Sequence, residues 1–158
     1  MALKLDDLRR LVDSVNFRYF VDPRSPTLMC GVQGRAGSYQ MVMSLQIDGR
    51  FLQFRTISYM HAAADHQHTA AVLRALAEIN YVFRFTKFGW DPKDGEIVVY
   101  GDVWLMDAGL TESQFKRLLN NFLSSIDEQY ARLSKTAATG TDPGPTESAT
   151  PKGDVETL

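Results

Sequence analysis

One cysteine, Cys30, stands among the 158 residues, so no disulfide can close within the chain and a reducing compartment is the expected setting. It sits in the apolar run Leu28-Met29-Cys30-Gly31-Val32, where a lone cysteine reads as a small buried hydrophobe. No histidine is placed by sequence to activate it. No apolar run approaches the length that crosses a bilayer. The first ten residues, MALKLDDLRR, are charged and periodic and lack the apolar stretch of a secretory signal, so a cytoplasmic protein is expected. Clusters of Lys and Arg are missing too. The net charge is −2 and the pI about 5.9, whereas nucleic-acid binders usually carry a basic field. Neither a nucleic-acid nor a membrane partner is expected. Catalytic signatures are absent as well: there is no G-x-S-x-G, no H-E-x-x-H and no C-x-x-C. The glycines of Gly31-Val32-Gln33-Gly34-Arg35-Ala36-Gly37 have neither dinucleotide nor P-loop spacing and do not lead into a helix.

What is present describes a fold. At 44% hydrophobic and 23% charged, the chain has the composition of a soluble globular protein of one domain. Leu5, Leu8, Leu11, Val12 and Val15 form one helical stripe, with Asp6 and Asp7 near its positive end. Asp22-Pro23-Arg24-Ser25-Pro26 breaks regularity. Leu28 to Gln33 reads as a short strand and Gly34 to Ser38 as a turn. Next, Tyr39, Met41, Met43, Leu45 and Ile47 alternate with Gln40, Val42, Ser44 and Gln46, the pattern of a half-buried antiparallel strand. Asp48-Gly49 supplies a type I′ turn, which sets Leu45 opposite Leu52 and Met43 opposite Phe54. The core face is then Met41, Met43, Leu45, Ile47, Leu52 and Phe54, and the face with Gln40, Ser44, Gln46, Gln53 and Arg55 is wet.

His61 to Gln67 leads into an alanine-rich helix through Ile79, with Asp65 or Thr69 as its N-cap. His61, Asp65, His66 and His68 are the one metal-like cluster. Metal ligation and general-base chemistry need imidazole and carboxylate to converge, and only His61–Asp65 has helix-face spacing. The plain reading is a solvated helix start with a capping aspartate. No catalytic residue, metal or cofactor is expected.

Asn80 to Met106 reads as two strands around Pro92-Lys93-Asp94-Gly95, a four-residue loop with glycine at the left-handed position. A calcium loop fails there, because Lys93 takes the third ligand place and Asp102 the twelfth. Pairing Asp91 with Glu96 puts Val82, Phe88, Trp90, Ile97, Val99, Val103 and Leu105 on one face. The other collects Tyr81, Phe83, Phe85, Val98, Tyr100, Trp104 and Met106. A hairpin needs one apolar face for the core, so the second face is core under another layer, a homodimer interface, or a groove for a protein or ligand. Downstream, Thr111 and Gln114 form a capping box. Phe115, Leu118, Leu119, Phe122, Ile126, Tyr130 and Leu133 then make a stripe opposite Lys116, Asn120, Asn121, Asp127 and Glu128. From Ser134 the chain is rich in Thr, Pro and Gly, and a disordered tail is expected over residues 134–158, after a single domain over 1–133.

The element order, helix, three strands, helix, two strands, helix, resembles the α+β type III secretion chaperone-like fold. The sequence resembles its YbjN-like branch, bacterial proteins described as regulators. The likeness rests on Leu76-x-x-Ile79-Asn80, Phe85-x-x-Phe88, Asp91-x-x-Asp94-Gly95-x-Ile97 and Leu110-Thr111, over roughly residues 3–133. It implies a small cytoplasmic protein that dimerises and binds other proteins, since secretion chaperones of this fold hold a partner's unfolded segment. The expected function is a non-enzymatic protein-binding module, chaperone-like or regulatory, acting as a homodimer. Tyr81, Phe83, Phe85, Tyr100, Trp104 and Met106 are its expected interface. The alternatives are a small-ligand sensory domain and a metal-dependent enzyme using the His61–His68 cluster.

Overall fold

A computed structural model describes residues 2–106 and 109–145 of the chain. The elements follow as α1 (Leu5–Ser14), β1 (Phe20–Val21), β2 (Thr27–Gln33), β3 (Ser38–Gln46), β4 (Phe51–Ile57), β5 (Met60–His61), α2 (Thr69–Val82), β6 (Thr86–Trp90), β7 (Glu96–Trp104) and α3 (Glu112–Thr139). Among the described residues this is the expected α+β architecture, with three helices and, where five strands were expected, one antiparallel sheet of seven. β1 and β5, two residues each, are too short for periodicity to reveal.

The sheet runs β1-β2-β3-β4-β7, with β6 on the far side of β7. β4 and β5 both lie along the opposite side of β7 from β6, because Tyr100 and Gly101 pair with β4 and β6 together, and Ile97 with β5 and β6. β4 and β5 are thus one bent strand whose register steps by two residues at Ser58-Tyr59. Ser58 takes a positive φ of 49° there. Where the ladder is interrupted, the Val99 N–H donates to Thr56 Oγ1 at 2.9 Å, so the buried amide keeps a partner.

Both hairpin registers are those the turns dictate. Leu45 pairs with Leu52 and Met43 with Phe54. Asp48 and Gly49 have positive φ, and the Arg50 N–H donates to Ile47 O at 3.1 Å. Trp90 pairs with Ile97, and the Asp91 N–H donates to Glu96 O at 2.9 Å, with Gly95 left-handed at φ 80°. Ile47, expected in the core, is instead 50% exposed. Its own φ is 51°, which ends the alternation one residue early.

All three helices pack on one face of the sheet. Leu8, Val72, Ile79, Phe115 and Phe122 share a single buried cluster with Leu28, Met41, Phe54, Phe88 and Val99. The capping box of α3 forms, with the Gln114 N–H on Thr111 Oγ1 at 3.2 Å and the Thr111 N–H on Gln114 Oε1 at 3.0 Å. The buried stripe of α3 is more polar than expected: Ser125, Gln129, Arg132 and Thr136 are buried, while Leu118 and Tyr130 are half-exposed.

Three boundaries differ from the sequence reading. α2 starts at Thr69, after His68 and without a side-chain cap; Thr69 Oγ1 donates to Ala63 O at 2.6 Å instead. α2 also continues to Val82, so Tyr81 and Val82 are helical and not strand residues. The Asn80 side chain explains the extension. Its amide donates to Phe88 O and accepts from the Phe88 N–H, both at 2.8 Å, and so serves the outer edge of β6 from the last turn of the helix. Finally, α3 runs past Leu133 to Thr139, and Asp142 beyond it is anchored to Arg132. Residues 146–158, the rest of the expected tail, lie outside the described residues.

Asp127, placed on the polar face of α3 by its spacing, holds the β2–β3 turn. It accepts from the Arg35 N–H and the Ala36 N–H, each at 2.9 Å, and from the Tyr39 hydroxyl at 2.7 Å. Gly34 is needed there, because a Cβ would lie 2.0 Å from Asp127 Oδ1. Burial opposes ionisation of Asp127, but the hydrogen bonds from Tyr39, Ala36 and Arg35 outweigh it and hold its carboxyl below the usual range. A depressed pKa contributes stability above the unfolded value that is lost as pH falls through the folded one. Amide exchange at Arg35 and Ala36 should therefore be protected at neutral pH and become as fast as in an unfolded chain at the same pH in acid, below the ordinary aspartate range. Asp127→Asn should show the fast exchange already at neutral pH.

Candidate functional site

With every described helix on one side, no described element covers the other face of the sheet. Strand register builds it in rows. Phe20, Met29, Val42, Arg55, Tyr100 and Lys87 are successive cross-strand partners from one edge of the sheet to the other. A second row is Ser44, Gln53 and Asp102, and a third is Gln46, Phe51 and Trp104. The middle row is tied laterally, with Gln53 Nε2 donating to Asp102 Oδ1 at 2.9 Å, and Gln46 of the third row reaches it, Nε2 donating to Gln53 Oε1 at 3.4 Å. This is the wet face that alternation predicts for the first hairpin.

Apolar groups flank that polar band. Trp104 meets Phe51 edge-on, with ring centroids 5.0 Å apart, yet remains 63% exposed. Just past the strand the alternation continues, with Leu105 buried and Met106 at 71% exposure. On the other flank Phe20 is 80% exposed and Met29 41%. Tyr100 lies between two cations, with the Arg55 guanidinium 5.6 Å and the Lys87 ammonium 5.3 Å from its ring centroid. Those cations also reach Glu96 at 3.9 Å and Asp102 at 3.5 Å. Exposed ion pairs of this kind contribute only about 0.2–1 kcal/mol each. They order the Tyr100 side chain more than they stabilise the fold.

The structure therefore gathers Tyr100, Trp104 and Met106 on one surface and separates the other three expected residues from it. Tyr81 sits in the last turn of α2 at 92% exposure. Phe83 caps that helix and packs on the core. Phe85 turns to the helix side, its ring 6.0 Å from that of Phe54. The reason is Gly101, where a Cβ would stand 2.7 Å from the Phe85 ring: the strand leaves a gap and the ring fills it. Phe20, Met29 and Phe51 join the open face without having been singled out. For Met29 the signal was there, since Leu28 and Cys30 alternate with it as core residues.

The histidines fall elsewhere. The His61 ring is hydrogen-bonded to Asp94 O. His68 Nδ1 faces Ala137 O at 2.9 Å, and His66 Nδ1 accepts the His68 N–H at 3.2 Å. Among the described residues no group of three or more His, Cys, Asp or Glu could hold a metal ion. A cleft of about 380 Å³ separates the start of α1 from the start of α3, lined by Leu3, Asp7, Arg10, Leu110 and Thr111. Of its charged groups, Arg10 is engaged with Asp7 and Asp7 with the Lys4 N–H, while Glu112 also lines it. Cys30 is buried, and that burial pushes its thiol up to about 12, far from nucleophilic use.

Comparison with known proteins agrees with this architecture. Residues 4–135 match the family model YbjN, described as "Putative bacterial sensory transduction regulator". No curated protein matches the chain significantly. Among solved structures, YbjN from E. coli superposes with a TM-score of 0.60 at 19% identity, covering 80% of this chain and 88% of its own. The ExsC–ExsE complex gives 0.56 at 18% identity, with 84% of this chain and 97% of the other covered. The HopA1–SchA chaperone–effector complex gives 0.50 at 13%, with 74% and 84% covered. At such identities the likeness is one of fold, and it confirms the chaperone-like architecture. Among the described residues no helix is long and apolar enough to cross a membrane.

Proposed function

Because this chain belongs to the YbjN family, matched over residues 4–135, we propose that it is a non-enzymatic protein-binding module, regulatory or chaperone-like, that works as a homodimer holding a partner segment. The observation that carries this reading is the open sheet face. Trp104 and Met106 on one flank, and Phe20 and Met29 on the other, are four of the chain's exposed large apolar side chains, and they share this one face. Apolar surface of this extent favours association. The polar band of Ser44, Gln53 and Asp102 between the flanks offers hydrogen-bonding groups that would fix register. One of the matching folds is that of a chaperone–effector complex. That likeness supports partner binding without naming the partner.

Neither other reading has an observation of its own. In the cleft beside α1, Arg10 and Asp7 pair with each other, and one ring nitrogen each of His61 and His68 faces a backbone carbonyl.

Trp104→Asp tests the proposal. The side chain is mostly exposed, so the fold should survive with a loss of about 1 kcal/mol from the Phe51 ring contact. Light scattering should show a dimer for the unaltered protein and a monomer for the variant. Circular dichroism of the two should be the same. An unchanged mass together with unchanged partner capture would sink the assignment.

A further inference from the structure

The C-terminal end of the described chain carries a second feature, on the helix side and remote from the open face. α3 stops at Thr139, Gly140 takes a positive φ of 72°, and residues 140–145 fold back as an irregular strap. Asp142 on this strap grips Arg132 with both oxygens: Nε donates to Oδ1 at 2.7 Å and Nη2 to Oδ2 at 2.5 Å. Nη2 also donates to Glu78 Oε2 on α2 at 2.7 Å. Arg132 is only 4% exposed, although the composition of the segment after it gives no reason to bury an arginine. The site is built. Asp142 accepts the Gly144 N–H at 2.9 Å, which bends the strap. The His68 ring closes against Gly140, where a Cβ would come within 2.7 Å.

The charge count explains what such a site can do. One guanidinium serves two carboxylates. If Asp142 leaves, Arg132 remains paired with Glu78, so departure does not strand a buried charge, the usual large cost of opening such a pair. The strap is therefore held firmly in geometry but can be exchanged. The same count selects the ligand. A vacated site holds one positive and one negative group, and the guanidinium presents a planar two-donor fork. A single carboxylate matches the fork. A phosphate, with nearly two charges, meets repulsion from Glu78.

We propose that Arg132, in the seam between α2 and α3, is a carboxylate-recognition site for an acidic peptide segment of a partner, and that residues 140–145 occupy it in cis as a built-in competitor. Pro143 and Pro145 follow the occupying aspartate and lower the entropy of the strap, which is what an intramolecular competitor requires.

The test uses the full chain and a fluorescent peptide with the sequence of residues 139–145, followed by anisotropy. The unaltered protein should bind it at least about tenfold more weakly than Asp142→Ala, whose own strap no longer competes. The same peptide with asparagine in place of its aspartate should not bind. Inorganic phosphate should not displace the acidic peptide. Arg132→Lys, combined with Asp142→Ala, should abolish binding, because an ammonium lacks the fork. Equal binding by the unaltered protein and Asp142→Ala overturns the proposal, as does indifference to the peptide's aspartate. Trp104→Asp should leave these affinities unchanged, which keeps this inference separable from the open-face reading.

Discussion

Phe54→Ala should lower the unfolding free energy by about 3–5 kcal/mol, read as a shift in the urea midpoint at unchanged slope. Phe54 is fully buried on β4, a central strand paired with β3 and β7. Its ring meets that of Phe122 at 5.6 Å, Phe85 at 6.0 Å and Phe115 at 6.1 Å, so one side chain joins the sheet to the segment entering β6 and to two positions on α3. The cavity left by truncation is bounded by a hydrogen-bonded strand and by a helix anchored along its length. Neither can collapse into it, and this places the cost at the upper end of the range for such changes. A loss below about 2 kcal/mol would mean that the aromatic cluster repacks, contrary to this picture.

Gly101→Val should cost at least about 1–3 kcal/mol by overpacking. Even a Cβ at this position lies 2.7 Å from the Phe85 ring and 3.1 Å from that of Phe122. The mechanism has a signature that simple strand propensity lacks, since valine is the better strand former. Gly101→Val combined with Phe85→Leu should be more stable than Gly101→Val alone, because the smaller side chain returns the space. Should the double variant show the sum of the two single losses, Gly101 is not what admits Phe85 to the core.

That pair also shows where sequence reasoning stopped. Turn chemistry is local, so Asp48-Gly49 and the 92–95 loop placed both hairpin registers correctly, and the capping box located the start of α3. Alternation along β7 correctly grouped Tyr100, Trp104 and Met106. The fate of Tyr81, Phe83 and Phe85 turned on a longer-range fact. Val82 and Phe83 have strand-forming side chains, yet the helix persists through Val82 because Asn80 must reach Phe88 from a helical position. Ile47 fits the period-two pattern and leaves it only because its backbone joins the turn. Composition placed the onset of the tail at Ser134, since Lys135, Thr136 and Thr139 are polar. Burial of Thr136 and the Arg132–Asp142 pair are tertiary facts that no local pattern encodes. The type III chaperone-like resemblance was legible because its motifs are turns and helix ends, which short sequences can specify.

The Asn80 amide has a consequence for how this sheet can be extended. A primary amide can turn one N–H and its C=O to the same side, so at Phe88 it satisfies the two backbone groups that a next strand would pair. The sheet is thereby terminated on its β6 side by a single side chain, and a newcomer there would first have to evict it. Among the described residues the β1 side has no comparable plug, only two residues followed by Pro23 and Pro26. A strand added from outside is therefore expected to join beside β1 and not beside β6, as a filament with one capped end grows only from the other.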